Sequence, residues 1–210
     1  MTNPQQTVPV FAPVTLAGRY VTLVPMQAAH HVQMCEAATD ASIFQWFPIE
    51  VAGERQMEKF IAQALADQAL GRVLPFVIYS RHDQRVVGST RYMNIEATHR
   101  RAEIGATWLM PAVQRTPVNT ECKYLLLRHA FEVLGLNRVE LKTDALNMKS
   151  RVAMARLGMV EEGTLRRHMV TATGRIRDTV YFSVVREEWP QMRENLERRL
   201  AQPFSFQPRI

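Results

Sequence analysis

The sequence is short of cysteine, of lysine and of long apolar runs, and each shortage removes a class of protein. Among its 210 residues are two cysteines, Cys35 and Cys122. Two thiols support neither a disulfide framework nor a four-cysteine zinc site, and neither belongs to a Cys-x-x-Cys pair. No apolar stretch approaches the roughly 18 residues that would span a bilayer. Met1 to Gln6 lacks a basic segment followed by an apolar one, so no signal peptide is expected and a cytoplasmic setting is the default. Internal repeats and low-complexity linkers are missing too. Of the 26 basic residues, only Lys59, Lys123, Lys142 and Lys149 are lysines, and the other 22 are arginines.

What remains is the composition of an ordinary globule, 47% hydrophobic and 22% charged. A chain of this length can bury roughly 70% of the surface its unfolded form exposes, so it needs no metal or disulfide staple. The net charge is +6 and the pI about 9.7. Arginine suits planar, bidentate contact with phosphate or carboxylate. The excess therefore points to an anionic partner or, more plainly, to a solvated basic surface. No aromatic-interleaved basic patch or helix-turn-helix accompanies it, so direct nucleic-acid binding is not expected.

Along the chain, residues 1–13 read as a flexible arm, 14–189 as one α/β domain, and 190–210 as a terminal helix and tail. Alternation marks strands at 18–24, 75–80, 85–94, 102–109, 137–143, 162–170 and 175–185. Helical patterns cover 27–38, 54–70, 119–134, 147–157 and 187–200, with Gly71, Gly135 and Gly158 as stops. The order strand–helix–strand–helix over 102–157 suggests a crossover unit packed on a sheet.

The segment from Ala102 to Asn119 runs from strand through a polar loop into a helix. Helix-start amides have no internal partner and meet the positive end of the dipole, so such a junction suits a phosphate or pyrophosphate. Arg115 would add a charged fork. The plainer alternative is a capped helix, with Thr116-Pro117 as N-cap and first turn.

Several ordered segments carry a family resemblance: Arg101 to Pro111, Gln114 to Glu121, His129 to Glu140, Asn147 to Ala153, Leu157 to Gly163 and Arg177 to Ser183. Over about Leu16 to Trp189 the chain resembles the GNAT superfamily of acyl-CoA N-acetyltransferases, and more narrowly the branch of the ribosomal-protein alanine N-acetyltransferases. The resemblance implies a mostly antiparallel mixed sheet with one splayed parallel strand pair and flanking helices. It also implies acetyl-CoA as co-substrate and an amine acceptor, either a protein N-terminus or a small molecule. The family's pyrophosphate loop runs Gln or Arg, two residues, Gly, one residue, then Gly or Ala. Gln114 holds the first place, but Pro117 and Asn119 replace the small residues, and proline has no N–H to donate. Arg115, Thr116, Val118, Asn119, Thr120 and Arg151 are the expected contacts for the cofactor's phosphates. Backbone groups of Trp108, Leu109 and Met110 are expected to meet the pantetheine arm, together with Asn147, which also suits a helix N-cap.

The resemblance further implies direct attack of an amine on the thioester, which needs a base, an oxyanion donor and a fate for the thiolate. Glu103, beside Gly105, is one candidate base, and the alternative is a strand glutamate paired with Arg101 or Arg91. His168 is the other, since histidine can accept a proton near neutral pH. Its alternative is a surface histidine beside Arg166 and Arg167. The tyrosine acid of many relatives falls on Met154, leaving Ser150 to orient the thioester or act as acid. Trp46-Phe47-Pro48 either shapes the acceptor pocket or pins a loop to the core. No metal site is expected: His129 and Cys122 lie in an apolar stripe, and the adjacent His30 and His31 point apart. An acyl-CoA-binding protein without catalysis is the competing function, motivated by Pro117 and Met154. The proline-rich start and arginine-rich end could serve an interface between copies.

Overall fold

Arg138-Val-Glu-Leu-Lys-Thr-Asp144 shows how the sequence builds its sheet. Alternation buries Val139 and Leu141 in one apolar core and turns Glu140, Lys142 and Asp144 to the opposite face. In the computed structural model, which describes residues 8–205, eight strands join one sheet. They are β1 (Leu16–Ala17), β2 (Val21–Pro25), β3 (Leu74–Ser80), β4 (Arg85–Glu96), β5 (Arg101–Leu109), β6 (Arg138–Asp144), β7 (Val160–Val170) and β8 (Ile176–Val185). Their order is β1-β2-β3-β4-β5-β6-β8-β7, antiparallel except for the parallel pair β5–β6. The helices are α1 (His31–Ala37), α2 (Glu54–Ala69), α3 (Pro117–Arg128), α4 (Met148–Leu157) and α5 (Trp189–Ala201). The chain thus has the expected mixed sheet with flanking helices. The first seven residues of the proposed arm and the last five of the tail lie outside the described residues.

Two apolar cores sandwich the sheet. One gathers Ile104, Leu125, Leu126, Val139, Phe182, Trp189 and Leu196 beneath α3 and α5. The other packs Met34, Met57, Phe60 and Ile61 of α1 and α2 on Val77 and Trp108. Phe11 joins the first core edge-on to Tyr92, ring centroids 5.5 Å apart. Glu121 of α3 ties the helix to the sheet edge. Its carboxylate accepts the amides of Arg19, Tyr20 and Val21 at 2.8, 2.6 and 2.8 Å. Gly18 leaves it room, since a Cβ there would fall 2.4 Å from the carboxyl carbon.

The helix expected over 119–134 begins two residues earlier, on the Thr116-Pro117 cap, and changes character near its end. After Arg128 it widens into a π turn, His129–Val133, in which the amide of Leu134 reaches back to His129 at 2.9 Å. The Tyr92 hydroxyl donates to the Leu126 carbonyl at 2.5 Å, where the ladder changes pitch. Such a one-residue change of pitch leaves the apolar spacing almost intact, so periodicity does not reveal it.

Candidate active site

The parallel pair β5–β6 is short. Its register runs through Arg101–Arg138, Ala102–Val139 and Glu103–Glu140 and stops there. Beyond Glu103, β5 follows β4 to Leu109 while β6 follows β8 to Asp144, so a gap opens between them. A bulge sits where they part. Ser89 opposes Trp108 while Arg91 opposes Gly105, so β5 carries one extra residue. Ala106 there has φ 47°, a left-handed conformation that costs a non-glycine residue about 1–2 kcal/mol. Parallel strands end on a common edge, which collects Leu109, the start of α3, and Asn147 before α4.

The backbone at this edge is partly committed. The Met110 amide donates to the Val87 carbonyl at 2.9 Å, and the Met110 carbonyl accepts from Val113 at 3.2 Å. Alternation in an antiparallel ladder then aims the polar backbone groups of Leu109 away from β4, into the gap. Gln114 folds back, its Nε2 donating to the Leu109 carbonyl at 3.0 Å. Among Trp108, Leu109 and Met110, Leu109 is therefore the residue whose backbone faces the opening.

At the start of α3, the Thr116 hydroxyl accepts from the Val118 amide at 3.3 Å and donates to the Val113 carbonyl at 2.6 Å. This removes Val118 from the expected anion donors, and its side chain is buried in the core. Thr120 lies four residues past the cap, where its amide closes the first helical turn. The amides of Arg115, Thr116 and Asn119, the exposed Arg115 side chain and the Thr120 hydroxyl are the groups left to an anion. Asn147 caps α4 by accepting the Ser150 amide at 3.2 Å, and Ser150 is half-buried in that first turn. Arg151 is spoken for: its guanidinium reaches the Ala145 carbonyl at 3.2 Å and Glu161 at 3.3 Å. Met154 is buried in the core.

Glu103 is buried just where the strands part. Its Oε2 accepts from Asn94 Nδ2 at 2.7 Å and lies 2.9 Å from Lys142 Nζ. The partners expected from sequence are engaged elsewhere. Arg101 pairs with Glu96 and, at 3.6 Å, with Glu140, and Arg91 lies over the Phe60 ring. Gly105 keeps space beside the carboxylate, because a Cβ there would fall 2.9 Å from Glu103 Oε1. Lys142 Nζ stands 5.8 Å from the Tyr181 ring centre, and the His168 ring meets Tyr181 edge-on at 5.9 Å. His168 is exposed, on a stretch of β7 with two extra residues between Leu165 and Met169. Arg167 beside it has φ 51° and donates its amide to Asp178 at 2.6 Å. The fold thus links both candidate bases in one row, Glu103–Lys142–Tyr181–His168. Asn94, Lys142 and Tyr181 were not singled out from sequence, since only strand register brings them beside Glu103.

The segment Phe44 to Phe47 crosses the gap farther along the strands. Phe44 meets Trp108 of β5 edge-on at 5.4 Å, and the Trp46 carbonyl accepts from Arg177 Nη1 of β8 at 3.4 Å. The aromatic loop therefore bridges the two strands that flank β6. Burial lowers the proton affinity of His129 and pushes the Cys122 thiol up to about 12, consistent with packing roles. No cluster of three or more His, Cys, Asp or Glu suited to a metal ion occurs among the described residues. No described helix is long and apolar enough to cross a membrane.

Residues 21–160 match the family described as acetyltransferase (GNAT) domain. A GCN5-related N-acetyltransferase from Brucella melitensis superposes with a TM-score of 0.86 at 30% identity, covering 94% of this chain and 91% of that one. RimJ of Mycobacterium smegmatis, solved in complex with CoA-disulfide, superposes with a TM-score of 0.76 at 25% identity, covering 92% and 97%. YdaF of Bacillus subtilis, provisionally named a ribosomal N-acetyltransferase, is 33% identical over 108 residues, or 51% of this chain and 58% of that protein.

Proposed function

The chain belongs to the GNAT acetyltransferase family, and from that premise we propose that it moves an acetyl group from acetyl-CoA to a primary amine. The observation that carries this reading is the parting of β5 and β6 immediately past a buried carboxylate, Glu103. The gap gives an extended thioester arm a place to lie, with the Leu109 backbone facing it. The Arg115, Thr116 and Asn119 amides and the Arg115 side chain would hold the cofactor's phosphates. Asn147 and Ser150 close the same edge.

In the proposed reaction the amine nitrogen attacks the thioester carbonyl carbon, and the carbon–sulfur bond breaks as the tetrahedral intermediate collapses. The attacking nitrogen gives up a proton to Glu103, directly or through one water, while Lys142 and Asn94 fix the carboxylate. His168, farther along the row, is the second candidate acceptor. Ser150 positions the sulfur end, and the departing thiolate takes a proton there or from solvent. The name of YdaF, provisionally a ribosomal N-acetyltransferase, favours a protein acceptor. The competing reading, acyl-CoA binding without catalysis, draws on Pro117 and Met154. The row of polar groups beside the gap favours the enzyme.

Thiol release from acetyl-CoA with a panel of peptides and small amines tests both readings. Glu103→Gln is expected to lower kcat about 100-fold or more, and His168→Ala about tenfold, with acetyl-CoA affinity held within about twofold. Full turnover in both variants refutes the base assignment. Cofactor binding without thiol release for any amine leaves the sensor reading, and absence of cofactor binding removes both.

A further inference from the structure

A buried charge is normally matched by a counter-charge or by hydrogen bonds. Arg91 of β4 departs from that rule. The residue is 8% exposed, and its Nη2 is buried without a hydrogen-bond partner among the described residues. It belongs to no ion pair among the described residues. One face of its guanidinium lies 4.5 Å from the centre of the Phe60 ring, which holds the plane but satisfies no N–H. Desolvation lowers its pKa to about 10, and the charge of Asp67 offsets this only in part.

Arg91 lines a cavity of about 210 Å³ beneath α2. Gln56, Lys59 and Gln63 of α2 line it too, at the spacing that stacks side chains on one helix face. Lys59 forms no ion pair among the described residues, and Glu50 is the one carboxylate at the wall, exposed to solvent. Two further buried polar atoms on the same sheet face, Ser89 Oγ and Trp108 Nε1, have no partner among the described residues. Ser89 is two residues from Arg91 on β4, and Trp108 is its cross-strand partner. The lining Arg91, Lys59, Gln56 and Gln63 side chains can all donate hydrogen bonds, so the cavity suits an acceptor of negative charge.

We propose that this cavity is a carboxylate-binding subsite for the acceptor, so that the preferred substrate is an amine carrying a carboxylate a few bonds away. The proposal rests on the acetyl-transfer reading above and names the chemistry of its acceptor. Arg91 stands opposite Gly105, and Glu103 lies two residues back on that strand and face. At about 3.4 Å per residue the two positions are about 7 Å apart along the strand. That span fits the amine and carboxylate of one amino acid, or an N-terminus followed by an acidic side chain. A guanidinium offers the carboxylate a bidentate fork, and the Phe60 ring keeps that fork flat toward the cavity.

Matched acceptors that differ only in carboxylate against carboxamide test the proposal. One arm uses free amino acids and their amides, the other peptides with Asp or Asn at the second position, and the favoured arm identifies the source of the carboxylate. Wild-type protein is expected to prefer the acid roughly tenfold or more in kcat/KM, and Arg91→Gln to bring the ratio near one. Lys59→Gln, on an exposed residue, is expected to reduce the preference without abolishing it, and it stands in if Arg91→Gln does not fold. Equal turnover of acid and amide, or a preference that survives Arg91→Gln, overturns the subsite. Glutarate, which has no amine, separates this outcome from failure of the transfer reading. Glutarate is expected to shift the NMR signals of Phe60, Gln56 and Gln63 in the wild-type protein while glutaramide does not. No shift with glutarate overturns the subsite even if no amine is ever acetylated.

Discussion

Replacing Lys123 with methionine is expected to make the protein more stable at neutral pH. Lys123 sits on α3 with 5% exposure, and its ammonium has one hydrogen-bond partner among the described residues, Thr107 Oγ1 at 2.7 Å. Desolvation lowers its pKa from 10.5 to about 8, against weaker opposing contributions from Cys122 and Glu103. An unfolded lysine keeps its proton to about pH 10.5, whereas the buried one releases it near 8. Between those values the unfolded state holds more protons, so stability rises with pH. Below pH 8 the folded state carries the whole cost, about 3 kcal/mol at ~1.4 kcal/mol for each pH unit. Methionine fills a similar volume without charge. It gives up one hydrogen bond of about 1 kcal/mol, while Thr107 Oγ1 keeps Thr90 Oγ1 at 2.8 Å. The net gain is about 2 kcal/mol at pH 7, shrinking toward zero or below as the pH nears 10.5. Urea unfolding followed by far-UV circular dichroism across that range measures it. A variant no more stable than wild type at pH 7, or a difference that stays flat with pH, would refute the reasoning.

Two substitutions test the frame around the site. Glu121→Ala strips the acceptor from three backbone amides, two of them buried. At roughly 1–3 kcal/mol for each stranded donor, the loss is expected to be on the order of 3–6 kcal/mol. A loss below about 1 kcal/mol in a urea melt would show that water or a rearranged turn satisfies these groups. Gly88→Ala places a methyl 2.1 Å from the Trp108 carbonyl oxygen and must push β4 from β5. We expect a loss of more than about 2 kcal/mol and weakened acetyl-CoA binding, because the displaced strand carries Leu109. Calorimetric melting and a cofactor titration read the two effects, and unchanged values in both would contradict the strand spacing described above.

The parts of the fold set by local chemistry were legible in the sequence. Thr116-Pro117 and Asn147 announced helix starts through side-chain oxygens and a proline that needs no amide partner, and Gly158 marked the end of α4 with φ 100°. The alternation of β6 separated its buried and polar faces. Relations across strands were not legible. Glu103 could be named, but Lys142 lies 39 residues away and reaches it only through parallel pairing. Arg91 gave no local signal, because its lack of partners is a property of packing. The π turn left the apolar stripe unchanged. The commitment of the Val118 and Met110 amides depended on a hydroxyl rotamer and a strand register, neither of which composition encodes.

The three-pair joint between β5 and β6 makes the sheet mechanically two plates, one of five strands and one of three. Antiparallel ladders stiffen each plate internally, but only a short stitch at Arg101 to Glu103 fastens them edge to edge. The connection that leaves β5 and returns to β6 contains α3, which packs on β1 and β2 and is anchored by Glu121 to the corner of the larger plate. Any widening of the gap must pivot about that stitch and strain the connection that spans it. Glu103 sits at the pivot, where displacement is smallest, while the start of α3 and the cap of α4 lie at the far ends of the lever arms.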